Sequence, residues 1–338
     1  MTIYDNGKVL LAGFEHAEGM QADNAGKTTS ELGAFWRTKT YVKPNDMVPS
    51  LLASWPLFPQ PYQMAQALYG GTWNDYNKAF IIQVAKCNLR CFYCYCDQDL
   101  LEGKTHNEAG AEVARWFDVD EILDMWRGES GLPIFRISGG EPTLVPEFLI
   151  QMIAAFEDMH DTLAETGFLW IDTNLSTGRS FIERYKKSAT ALEYHPNVGV
   201  SGCFKGFTDE DATKATGAYG LLDIQFKMAK ALIEETDLET FFYVPGIISC
   251  DTPTPRKAIE EFFDRLREEV DERAPLRTYL LQIKDYSKTP KAETEQWKCC
   301  VPDGKPLPVV WQQLCNKHYA PELLWLPNHQ VQFKKREE

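Results

Sequence analysis

From residue 78 to about 281 six short apolar runs alternate with five stretches whose apolar residues recur at helical spacing. The runs are Ala79–Val84, Ile134–Ile137, Phe168–Ile171, Val198–Val200, Thr240–Val244 and Thr278–Leu281. Between them Val119, Ile122, Leu123 and Trp126 share one helical face, as do Phe148, Leu149, Met152, Ile153 and Phe156. Further helices are expected around Phe181–Leu192 and Leu221–Glu235. Another carries Ile259, Phe262, Phe263, Leu266 and Val270 behind an N-cap and N1 pair, Thr254 and Pro255. Strands that alternate with helices pack as a parallel sheet with right-handed crossovers. Six units fall short of a closed eight-unit barrel, so the expected fold is α/β, a partial (β/α)6 TIM-type barrel whose functional loops leave the C-terminal ends of the strands.

The flanks lack this alternation. Residues 1–77 hold scattered apolar residues and clusters such as Trp55-Pro56-Leu57-Phe58-Pro59-Gln60-Pro61-Tyr62, where prolines break helix and strand alike. They read as an irregular N-terminal extension with one helix near Tyr62–Leu68. Residues 78–290 form the barrel, and residues 291–338 read as a C-terminal tail with a solvated Lys334-Lys335-Arg336-Glu337-Glu338 end. No run approaches the roughly 18 apolar residues of a membrane helix, and the start lacks the order of a secretion signal. A cytoplasmic protein with no membrane partner is expected. With 35 basic and 49 acidic residues the net charge is -14, which disfavours nucleic acid and suits a small-molecule or peptide site.

The nine cysteines are an odd number, and four of them, Cys87, Cys91, Cys94 and Cys96, lie within ten residues. A secreted disulfide framework rarely looks like this; a cytosolic metal site often does. The spacing C-x3-C-x2-C places Cys87, Cys91 and Cys94 on one tight loop directly after the first strand. Three thiolates on an iron–sulfur cubane leave one iron without a protein ligand, open to substrate or cofactor. A zinc knuckle completed by Cys96 and a set of buried unreactive cysteines are the other readings.

The segment Lys86-Cys87-Asn88-Leu89-Arg90-Cys91-Phe92-Tyr93-Cys94 resembles the radical S-adenosylmethionine (SAM) superfamily, whose signature is C-x3-C-x-aromatic-C, with Tyr93 as the aromatic. Ser138-Gly139-Gly140-Glu141-Pro142-Thr143 after the second strand is similar to that family's GGE motif, where bare glycines let the backbone approach a ligand. Asp172-Thr173-Asn174 resembles the D-T-N-G stretch of glycyl-radical-enzyme activases of the pyruvate formate-lyase activase type, with Leu175 in place of glycine. Lys205-Gly206-Phe207-Thr208-Asp209-Glu210 and Val244-Pro245-Gly246 resemble two further activase segments. The resemblance covers residues 78–290. It implies a [4Fe–4S] cluster on Cys87, Cys91 and Cys94, with SAM contacts from Tyr93, Gly139, Gly140, Glu141, Asp172, Asn174 and Lys205.

It also implies an oxidoreductase that cleaves SAM reductively to a 5′-deoxyadenosyl radical, which takes a hydrogen atom from its substrate. An electron donor such as flavodoxin or ferredoxin, and anaerobic working conditions, go with that chemistry. The leading substrate is a glycyl radical enzyme. The alternative is radical modification, such as epimerisation or rearrangement, of a peptide or small metabolite. A non-catalytic, metal-stabilised binding module is the remote third. Cys203 stands where the activases carry an aspartate; it reads as a catalytic hydrogen-atom donor or as a small buried residue. Cys250, Cys299, Cys300 and Cys315 read as ordinary cysteines, an auxiliary cluster being the other reading.

Overall fold

The computed structural model describes residues 4–13, 35–40, 61–94, 96, 98–129, 132–162, 167–188, 190, 195–245, 255–281, 307–326 and 330–334. In chain order the strands are β1 (Tyr4–Asp5), β2 (Lys8–Ala12), β3 (Trp36–Thr40), β4 (Lys78–Val84), β5 (Ala114–Phe117), β6 (Ile134–Gly139), β7 (Phe168–Thr173), β8 (Val198–Cys203), β9 (Glu239–Pro245) and β10 (Thr278–Leu281). The helices are α1 (Pro61–Tyr69), α2 (Trp73–Tyr76), α3 (Gln98–Glu102), α4 (Val119–Glu129), α5 (Pro146–Thr162), α6 (Ser180–Tyr185), α7 (Asp209–Thr216), α8 (Leu221–Glu235), α9 (Arg256–Arg265), α10 (Leu307–His318) and α11 (Pro321–Leu324).

One sheet runs β1-β2-β4-β6-β7-β8-β9-β10, with β3 also on β4 and β5 also on β2. From β4 to β10 every neighbour is parallel, so the six expected strands lie side by side in sequence order. The sheet is not closed among the described residues. Period-two alternation gives it two faces. Phe80, Ile82, Phe135, Ile137, Leu169, Ile171, Val200 and Phe242 face the main core with Phe148, Met152 and Phe156 of α5, Phe226 and Leu232 of α8, and Phe262 of α9. Ala79, Ile81, Ile134, Phe168, Trp170 and Phe241 form a smaller core with Met64 and Ala65 of α1 and Tyr76 of α2. Trp170 stacks on Phe241 at 5.7 Å. Gly199 lies between their strands because a Cβ there would stand 2.7 Å from the indole.

The flanks contribute more regular structure than their composition announces. β1 and β2 form a hairpin whose turn, Asn6-Gly7, takes φ of 49° and 80°. That pair is a strong short-range hairpin signal, because both residues tolerate the left-handed region. At the other end, α10 buries Trp311 fully against Phe263. Phe333 and Val331 dock on the body, and buried Arg277 holds them: it donates to the Val331 carbonyl at 3.0 Å and to Glu239 at 2.5 Å, between the rings of Phe241 and Phe333. Lys334 pairs with Glu272. The helix expected around Phe181–Leu192 is the shorter α6. No helix among the described residues is long and apolar enough to cross a membrane.

Candidate active site

The site gathers at the C-terminal ends of β4, β6, β7 and β8. After β4 the chain turns through Lys86, whose φ of 74° is left-handed, into the cysteine loop. Lys86 and Cys87 donate backbone N–H to the carbonyls of Leu100 and Leu101 in α3. The Arg90 guanidinium reaches the carbonyls of Cys87, Leu89 and Leu101. Cys94 N–H closes the turn onto the Cys91 carbonyl at 2.9 Å, and Phe92 N–H binds the Ala215 carbonyl of α7 at 3.0 Å.

The glycine pair after β6 packs against this loop. Gly140 and Glu141 donate N–H to the carbonyls of Val84 and Lys86 at 2.8 and 2.9 Å. A Cβ on Gly139, whose φ is 100°, would stand 2.7 Å from the Cβ of Gln83. The sequence suggests glycines bared for a ligand; their immediate neighbour is the backbone that carries the cysteines. Glu141 is fully buried. One carboxylate oxygen accepts from Thr143 N–H, the Thr143 hydroxyl and the Thr173 hydroxyl, the other from Asn174 N–H at 2.6 Å. Burial pushes its carboxyl up, against the pull of those donors. Both oxygens are thus spent on tying the turn after β6 to the end of β7.

At the end of β7 Asn174 donates its amide to Cys87 Sγ at 3.5 Å and to Asn88 Oδ1 at 3.4 Å. Leu175 adopts φ 59°, so the turn keeps the left-handed backbone that a glycine would take. Asp172 is paired with Arg136 at 2.8 Å and accepts from the Trp170 indole at 3.2 Å, and its charge reaches the Cys203 thiol. At the end of β8, buried Lys205 donates to Cys203 Sγ at 3.0 Å and lies 5.9 Å from the Tyr93 ring centroid. Burial opposes the charge on Lys205, but its neighbours, Cys203 first, outweigh burial and hold the ammonium. Burial pushes the Cys203 thiol up, against Lys205.

Cys87, Cys91, Cys94, Asn174, Lys205, Tyr93 and Cys203 therefore converge. Cys315 is buried in α10, and Cys250, Cys299 and Cys300 lie outside the described residues, as does Gly246. One organising residue gave only a faint sequence signal. Gln225, fully buried on α8, donates to the carbonyls of Asn174 and Cys203 at 2.6 and 2.9 Å and accepts from Lys205 N–H at 3.1 Å. A lone amide in the apolar stripe of α8 was that signal.

The thiols suit a multinuclear cation. Cys87, Cys91 and Cys94 are all free, and burial pushes the first two up to about 12 and about 11. The Cys96 thiol hydrogen-bonds Cys94 and pulls it down to about 7. Three thiolates this close need a positive centre to become anionic together. No group of three or more His, Cys, Asp or Glu among the described residues is gathered tightly enough for a single metal ion. A cubane, which takes each thiolate on a separate iron, spreads its ligands wider than one ion does.

Residues 81–201 match the family model described as the radical SAM superfamily. No curated protein matches. Among solved structures, the chain is similar to SuiB of Streptococcus suis bound to S-adenosylmethionine, with 19% identity, 62% of this chain and 39% of that one covered, and a TM-score of 0.39. It is similar to anSMEcpe with bound AdoMet, at 14% identity, 60% and 48% coverage and a TM-score of 0.39. It is also similar to the radical S-adenosylmethionine methyltransferase TsrM from Kitasatospora setae with cobalamin and a [4Fe–4S] cluster bound, at 15% identity, 55% and 34% coverage and a TM-score of 0.35. The chain spans less than half the length of each. Residues 81–201, which carry the strands and loops just described, are thus similar to a radical SAM domain.

Proposed function

We propose that the chain is a radical SAM enzyme that activates a glycyl radical enzyme by taking a hydrogen atom from a backbone glycine. Cys87, Cys91 and Cys94 would hold the cluster and leave one iron open, and Tyr93, Asn174 and Lys205 would border the SAM beside it. Bound there, cluster and SAM supply a one-electron reductive cleavage that delivers a 5′-deoxyadenosyl radical to the substrate. The chain's own residues position and insulate. Asn174 donates to the sulfur of Cys87, Gln225 fixes the ends of β7 and β8, and Glu141 locks the glycine turn. Lys205 holds a buried positive charge suited to a carboxylate. An external one-electron donor of the flavodoxin or ferredoxin kind completes the scheme.

The observation that carries the SAM chemistry is the three-cysteine loop braced on Asn174 and on the glycine pair. The activase reading draws support from Leu175, which holds the left-handed turn of the D-T-N segment despite its side chain. After anaerobic reconstitution with iron, sulfide and a strong reductant, the protein should turn SAM into 5′-deoxyadenosine, and Cys91→Ala should lose both cluster and cleavage. A fully loaded cluster with no cleavage would end the proposal.

A second reading, radical modification of another peptide or small metabolite, is favoured by Cys203, a thiol at a strand end beside Lys205 where the activases have a carboxylate. A glycine-centred EPR signal in a partner protein supports activation. Solvent deuterium in a product, lost in Cys203→Ala, supports the second.

A further inference from the structure

Polarity on the α1 face of the sheet is graded along the strands. At their N-terminal ends the row is Ala79, Ile134 and Phe168. Two residues on it is Ile81, Arg136, Trp170 and Gly199. Two further on, Gln83 pairs in register with Ser138, and Asp172 with Ser201. Parallel strands covered on both faces normally read as continuous apolar runs, so a polar row just below the cysteine loop calls for a cause.

Asp172 holds Arg136 and the Trp170 indole, and Ser138 has a partner of its own. Ser201 Oγ, beside the Tyr279 hydroxyl, makes no hydrogen bond among the described residues. Gln83 leaves two atoms unmet. Its side chain is fully buried, and neither Nε2 nor Oε1 finds a hydrogen-bond partner among the described residues. Leaving a buried donor or acceptor unsatisfied costs about 1–3 kcal/mol each, and folded proteins rarely keep such groups without a use. Leucine would fill the place without that cost.

Resting on the radical SAM reading above, we propose that Gln83 reads a neutral amide of the substrate, donating Nε2–H to its carbonyl and accepting its N–H on Oε1. A simple ionic ligand leaves one of the two atoms bare. A carboxylate has no hydrogen for Oε1, and an ammonium has no acceptor for Nε2. The ionic groups of these two rows, Arg136 and Asp172, already hold each other. A planar group with adjacent donor and acceptor, as in a peptide bond, satisfies both atoms. The substrate class is therefore a peptide or another carboxamide, presented edge-on to β4.

The test uses the full, cluster-loaded chain. N-methylacetamide is the probe, and methyl acetate, which replaces its N–H by an ester oxygen, is the control. Wild type should bind the amide more tightly than the ester. Gln83→Leu should bind the amide about ten-fold or more weakly, equivalent to about 1.4 kcal/mol, and should melt higher than wild type without ligand. Its SAM dissociation constant should be unchanged. Gln83→Glu, which keeps the shape without the N–H donor, should weaken amide binding too and serves if the leucine variant does not fold. Equal binding of amide and ester, an unaltered amide affinity in these variants, a lower melting point in a folded Gln83→Leu, or a shifted SAM affinity overturns the proposal. A wild type that binds the amide but never cleaves SAM would sink the enzymatic reading alone.

Discussion

Gly140 lies so close to Lys86 that a Cβ on it would stand 1.9 Å from the Lys86 carbonyl oxygen and 2.5 Å from its carbon. The contact joins the turn after β6 to the stem of the cysteine loop, and both partners are backbone, so neither can rotate aside. Gly140→Ala must push the loop off its seat. Overpacking of this kind costs about 1–3 kcal/mol, within reach of a domain of this size. The variant should stay folded by far-ultraviolet circular dichroism, melt lower, and hold much less iron per chain than wild type after anaerobic reconstitution. Full iron loading would mean that the cysteine loop does not depend on this seat.

Leu175 carries two opposed effects. Its φ of 59° costs about 1–2 kcal/mol in a residue with a Cβ. Yet its side chain is fully buried and fills the space beside Gly202, where a Cβ would meet Leu175 Cδ2 at 2.8 Å. Leu175→Gly relieves the backbone and opens a cavity, and removing a buried leucine costs about 2–5 kcal/mol. The cavity should win, leaving the variant less stable in chemical denaturation. Gly202→Ala should destabilise by the converse route, and Leu175→Ala combined with Gly202→Ala should recover part of the loss. Additive losses in the pair would separate the two residues energetically.

Arg277 tests how the C-terminal segment is held. Its guanidinium, sandwiched by two rings, spans the Val331 carbonyl and the Glu239 carboxylate. Lysine keeps the charge but offers no planar fork to stack or to bridge two acceptors. Arg277→Lys should lower stability by about 2–4 kcal/mol, since it leaves buried acceptors poorly met. Limited proteolysis should then cleave near residues 326–334 sooner than in wild type. Unchanged protection there would show that Phe333 and Val331 dock without the arginine.

What the sequence disclosed follows from which forces are local. The apolar runs Phe168–Ile171 and Thr240–Val244 and the face of Ile259, Phe262 and Phe263 are set by burial, which leaves a period in the chain, and they became β7, β9 and α9. The cysteine loop and the glycine pair were legible because three thiols and two bare residues sit at fixed spacing. The N-terminal hairpin is marked in the sequence by Asn6-Gly7 alone, because strands of two and five residues carry too little periodicity beside a proline-rich stretch. Contacts between distant segments left no local mark. The donors from Thr173 and Asn174 to Glu141, the Arg136–Asp172 pair and the clamp of Gln225 all join residues that only the crossovers bring together.

Asp172 shows why that distinction matters for the site. The sequence resemblance makes it a SAM contact, whereas in the fold its carboxylate holds Arg136 and the Trp170 indole on the α1 face. The two roles separate in a double-mutant cycle. Asp172→Asn alone strands the Arg136 charge in a largely buried place and should cost about 3 kcal/mol. Arg136→Met alone leaves the carboxylate to the indole and should cost a similar amount. The double variant removes both charges, and should melt within about 1 kcal/mol of wild type because burying neither ion spares both desolvation penalties. SAM affinity is then the deciding measurement. If Asp172 serves only the ion pair, the double variant recovers SAM binding with its stability. If it touches SAM, stability returns and affinity does not.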